Sequence, residues 1–190
     1  MKRLTITSLF FVAMAMVAVA QSITARIEGD QLRIAAPKMH FLVGEVLDRL
    51  HDGATVKFEF QLALRSDRNG DVLARNVEQF AISYDLWEEK FAVTKLGSPT
   101  RSVSHLPAAA AEAWCIDNTS IPVAAINASR QFWMRLDYRV IDTTATPDKA
   151  DNSGFTLTGL IDILSRRPRG EQLHGSEEAG PFRVESLKRK

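Results

Sequence analysis

Between residues 55 and 93 apolar and polar side chains alternate with a period of two. Val56, Phe58, Phe60, Leu62 and Leu64 fall on one side, and Lys57, Glu59, Gln61 and Arg65 take most places on the other. This is the pattern of a strand with one buried face. The run Asp67-Arg68-Asn69-Gly70-Asp71 follows. Its Asn69-Gly70 pair predicts a tight primed turn, because both residues tolerate positive φ. The return strand is expected to bury Phe80, Ile82, Tyr84 and Leu86. Trp87-Glu88-Glu89-Lys90 should then turn the chain into a shorter third strand, Phe91-Ala92-Val93. The rest of the chain is expected to pack on this antiparallel meander.

Residues 23–27 and 32–35, split by Gly29-Asp30, read as an early hairpin. Val43, Val46, Leu47 and Leu50 share one face of a helix near 43–51, with Gly53 placed as a C-terminal cap. The segment 97–102 is a loop by composition, and Ser104 can cap a helix near 105–116. Leu106, Ala110, Ala113 and Trp114 would face inward there, and the alanines at 108–111 favour helix strongly. Residues 121–126 form a weaker strand, which Pro122 confines to an edge or a strand start. Phe132, Met134, Leu136, Tyr138 and Val140 then alternate with Trp133, Arg135, Asp137 and Arg139 in a clear strand. Leu157, Leu160, Ile161 and Leu164 mark a last helix near 156–166, stopped by Pro168. The expected fold is α+β and mainly β: an antiparallel sheet or β-sandwich of about seven strands with three short helices. Trp133 sits in the polar register of its strand, so it either marks a contact surface or is covered by the last helix.

The N-terminus follows a different pattern. Lys2-Arg3 precede an uncharged, mostly apolar run at 4–19, and Ala18-Val19-Ala20 offers small residues to an export peptidase. These features predict a signal peptide at 1–20, cleaved before Gln21, and a periplasmic or extracellular protein. The alternative is an uncleaved anchor, since the run approaches the ~18 apolar residues of a spanning helix. The remainder divides into one β-rich domain at 21–168 and a polar C-terminal tail at 169–190.

Composition narrows the function classes. Of 24 Lys+Arg, two lie in the signal, which leaves 22 against 23 Asp+Glu and a formal charge of −1. Such a balance argues against nucleic acid as the partner. Cys115, the one cysteine, stands in the apolar run Ala113-Trp114-Cys115-Ile116 and reads as a buried, inert thiol. Arg166-Arg167, Arg169 and the tip Lys188-Arg189-Lys190 read as solvated charge. Membrane contact is therefore expected only through the signal or anchor and, at most, this basic tail.

The order of features is export signal, early hairpin, a long hairpin ending in Ser83-Tyr84-Asp85-Leu86, an alanine-rich helix, and the strand Phe132-Trp133-Met134-Arg135-Leu136-Asp137. It resembles a bacterial family of exported proteins known only as a domain of unknown function. These are Tyr-Asp-centred, β-rich envelope proteins, some encoded beside sensor histidine kinases. The resemblance implies an envelope location. It carries no catalytic residue to this chain.

Candidate chemistry is sparse. Asp67, Asn69, Asp71 and Glu78 match positions 1, 3, 5 and 12 of a calcium loop, but Val72 stands where the loop needs glycine. His40, His51, His105 and His174 form no zinc motif. Cys115, His105 and Asp117 could be imagined as nucleophile, base and orienter, yet one helix would hold the first two about 15 Å apart. The densest polar groups are Tyr84-Asp85, Glu88-Glu89 and Arg135-Asp137-Arg139, for which cross-strand ion pairs are the ordinary role. The expectation is a protein without catalytic, metal or cofactor residues that binds a protein partner in the cell envelope. The alternative is an exported hydrolase or small-ligand carrier with its site on the sheet face.

Overall fold

The period-two stretch lies in the middle of a six-stranded antiparallel sheet. The computed structural model describes residues 22–127, 129–141 and 173–187. In chain order these form β1 (Thr24–Glu28), β2 (Gln31–Ala35), α1 (Gly44–His51), β3 (Val56–Arg65), β4 (Val72–Asp85), β5 (Lys90–Leu96) and β6 (Arg101–Leu106). They continue with α2 (Ala108–Asp117), β7 (Ile121–Pro122), β8 (Phe132–Ile141), β9 (His174–Phe182) and α3 (Val184–Leu187). The large sheet has the order β6-β5-β4-β3-β8-β9, and a small one has the order β1-β2-β7. The fold is thus α+β and mainly β, with nine strands among the described residues where about seven were expected.

The alternation in β3 does what its period requires. Val56, Phe58, Phe60, Leu62 and Leu64 are buried on the inner face. Phe60 meets Phe41 and Phe80 edge-on, with ring centres 5.0 and 5.6 Å apart. Such edge-to-face pairs add to the burial energy of the rings. Val46 and Leu50 of α1, Ala111, Cys115 and Ile116 of α2, and Leu32, Ile34 and Ile121 of the small sheet close this face in one continuous core.

Several expectations change. Neither Asn69 nor Gly70 takes positive φ. The β3–β4 connection is a wider loop in which Asp67 Oδ1 accepts the Asn69 N–H at 2.9 Å. A Cβ on Gly70 would lie 2.2 Å from Ser66 Oγ, so a larger residue there would make the Ser66 side chain move. Leu86 is not buried but 59% exposed, because β4 ends at Asp85 and Leu86 enters the turn. Residues 101–106 form strand β6, and the second helix begins at Ala108 with Pro107 as its N-cap. Proline keeps the residue before it out of the helical region, so no helix can run through Leu106, and Ser104 caps nothing. Residues 121–126 are a two-residue strand followed by a single 3-10 turn at Val123–Ala125.

The segment read as a polar tail supplies β9, which pairs with β8 from Phe182 back to His174. Its glycines explain this. A Cβ on Gly175 would lie 2.4 Å from the Tyr138 ring, and one on Gly180 would lie 2.7 Å from Trp133. Aromatic rings of β8 occupy the room these glycines leave, so a strand poor in apolar residues is still covered. The expected signal at 1–20, the helix near 156–166, the arginines at 166, 167 and 169 and the basic tip lie outside the described residues. No helix among the described residues is long and apolar enough to cross a membrane.

Candidate functional site

The outer face of the large sheet carries the polar half of each alternation. Strand register places Glu59 beside Arg139, Gln61 beside Asp137 and Ala63 beside Arg135. Arg139 pairs with Glu59 at 2.5 Å, and Gln79 donates to the same carboxylate at 3.1 Å. Arg135 Nε donates to both oxygens of Asp137, at 2.9 and 3.1 Å. Arg68 reaches Glu178 at 3.4 Å and lies 4.9 Å over the Trp133 ring. Trp133 is therefore half-buried, with Arg68 on its ring and Gly180 of β9 beside it.

Arg65 differs from these neighbours. It lines an open groove of about 500 Å³ with Glu59, Arg135, Asp137, Arg139 and His174. Its Nε is buried and has no hydrogen-bond partner. A buried polar group left unsatisfied in a native structure calls for an explanation, and a guanidinium is built to grip a carboxylate or phosphate with paired N–H groups. Ala63, only 3% exposed, lies between Arg75 on β4 and Arg135 on β8.

A second arrangement sits on the opposite layer. Glu112 of α2 is buried at 5% exposure. Its Oε1 accepts the backbone N–H of Phe41 at 2.8 Å and of Leu42 at 2.9 Å, while Oε2 meets His40 Nδ1 at 2.9 Å. The carboxylate thereby ties the loop before α1 to α2, beside a mostly apolar cleft of about 290 Å³. Burial, and then the nearby Glu112 charge, push the Tyr138 hydroxyl above its ordinary range.

The tip between β4 and β5 presents Trp87 at 96% exposure. Asp85 Oδ1 holds this turn by accepting the backbone N–H groups of Trp87 and Glu88, at 2.8 and 3.1 Å. Those two donors, Glu88 first, hold the Asp85 carboxyl below the usual range.

The imagined catalytic and metal sets do not assemble. His105 lies on β6 and pairs with Glu88 at 2.9 Å, while Cys115 is buried in the core and Asp117 is held by Arg26 and Arg33. Glu78 pairs with Lys95 at 2.9 Å, and strand rise carries it about 20 Å along β4 from the loop that holds Asp67. Among the described residues no group of three or more His, Cys, Asp or Glu could hold a metal ion. Burial, then the Glu112 charge, push the Cys115 thiol far up. A disulfide reagent such as DTNB is therefore expected to titrate no thiol in the native chain and one after denaturation. Rapid reaction of the folded protein would contradict the buried placement.

Sequence reasoning passed over Glu112 and Arg65. A lone acid within Ala108-Ala109-Ala110-Ala111-Glu112-Ala113-Trp114 was a usable signal, because a charge on an otherwise apolar helix needs a partner. Arg65 left no such trace, since its isolation depends on which residues β8 brings alongside. No family model matches the chain, and no curated protein or solved structure matches it.

Proposed function

We propose that this chain is an exported protein of the bacterial cell envelope that acts as a non-enzymatic binding module, its outer sheet face receiving an acidic group of a protein partner. The observation that carries this reading is the state of the charges on that face. Glu59, Asp137 and Glu178 each face an arginine, whereas Arg65 lines the groove without a carboxylate partner among the described residues. An incoming carboxylate would meet the unpaired Arg65 guanidinium in a groove where arginines outnumber carboxylates, without displacing an existing pair. Trp87, held out on a fixed turn, supplies the kind of aromatic anchor that partner surfaces favour.

Fluorescence anisotropy with a labelled hexaglutamate peptide tests the reading. The full chain should bind it, Arg65→Gln should weaken binding about tenfold, and added salt should weaken it further. Equal binding of a hexalysine peptide, or indifference to Arg65→Gln, would defeat the proposal. Fractionation of cells expressing the tagged chain tests the location, with recovery in the envelope fractions expected.

A further inference from the structure

β4 is twice as long as its neighbour on one side. β3 pairs with it from Val72 to Ile82, but β5 begins to pair only at Gln79. Among the described residues, the backbone of 72–78 is thus hydrogen-bonded on its β3 side alone. No turn or loop hydrogen bond covers the other side. The inner side chains of this half-strand are already fixed. Asn76 Nδ2 donates to Ser120 O at 2.8 Å and to Glu78 Oε1 at 3.0 Å, and Lys95 pairs with Glu78. The outer side chains Val72 and Val77 are exposed at 51% and 41%. A rigid strand with a free row of N–H and C=O groups is a template for another strand.

Charge around this edge selects the partner. Arg65, opposite Val72, and Arg75 on the strand itself have no ion pair among the described residues, and neither do Arg101 and Arg130. Arg130 shares a cleft with Leu73, and Arg101 shares a groove with Glu78. The carboxylates nearby without an ion pair among the described residues are Asp30, Asp67 and Asp71, three against these four arginines. A second copy of the chain fits poorly. The two-fold register that would use all of 72–78 sets Arg75 opposite Arg75, and like charges directly opposed are destabilising. The bulge at Leu64/Arg65, where Leu73 is the extra residue, further interrupts a flat self-pairing edge.

From this placement we infer that the free half of β4 takes up an extended, acidic segment of another protein as an added strand. Its backbone pairs with 72–78, and its carboxylates, which alternation places together on the outer face, meet Arg75. The inference rests on the reading of an acidic partner and adds the edge, the backbone mode and the alternating pattern.

The test uses the full chain and a capped nonapeptide of alternating valine and glutamate, with a version N-methylated at alternate backbone nitrogens. The plain peptide should slow amide hydrogen exchange across 72–78. The N-methylated version should bind about tenfold more weakly, because main-chain hydrogen bonds supply strand-addition affinity. Arg75→Glu should weaken the plain peptide by about tenfold and improve a valine–lysine counterpart. Equal binding of the N-methylated peptide would overturn strand addition while leaving the acidic-partner reading intact. Sensitivity to N-methylation together with hexaglutamate binding that ignores Arg65→Gln would keep the edge and defeat the outer-face reading. Unchanged exchange at 72–78, or its protection by self-association of the free chain, would overturn the inference.

Discussion

Glu112→Ala is expected to destabilise the protein by about 3 kcal/mol or more, with Glu112→Gln costing only about 1 kcal/mol. The helix itself tolerates alanine well, so the loss comes from what the carboxylate holds. Without it the N–H groups of Phe41 and Leu42 are left buried and unpaired, and each such donor costs about 1–3 kcal/mol. His40 loses its partner too, but its side chain is 59% exposed and water can replace the bond. Glutamine retains an oxygen that can accept both N–H groups, which is why the two variants should separate. Urea denaturation monitored by tryptophan fluorescence measures the difference. Similar midpoints for Glu112→Ala and the parent would mean that the loop before α1 has another anchor.

Phe60→Ala should cost about 3–5 kcal/mol, the usual range for emptying a fully buried phenylalanine site. Phe60 has no exposed surface and meets Phe41, Phe80 and Tyr138, which lie on three other segments. Rings converging from separate segments cannot all shift inward to fill the space. Lys57→Ala, on the outer face of the same strand, should stay within about 0.5 kcal/mol of the parent. Differential scanning calorimetry of the two variants gives the contrast. Equal melting temperatures would show that the faces of β3 have been assigned wrongly.

The mainly β class, the β3–β4 hairpin and strand β8 were legible because each has a long run of strict alternation with one buried side. Strands β6 and β9 were not. β6 is an edge strand with few buried side chains, and its serines and histidine resemble a loop. β9 reads His-Gly-Ser-Glu-Glu-Ala-Gly-Pro-Phe, and its place depends on rings contributed by β8. The Asn69-Gly70 signal located the turn but misjudged its geometry, because the Asp67 side chain offers a competing local hydrogen bond. The charges near Arg65 could be seen individually. Their pairing could not, since Arg139 meets Glu59 across a separation of 80 positions.

Strand order also carries a kinetic consequence. β3 joins β4 through a short connection, whereas β8, its neighbour on the other flank, starts at Phe132. A chain delivered amino end first can close that hairpin early, as contacts near in sequence form fastest. One whole side of β3 then stays uncapped until the last third of the polypeptide arrives. Over that interval Phe58, Phe60 and Leu62 are sheltered from neither water nor foreign strands on that side, and a holding chaperone has its clearest target there.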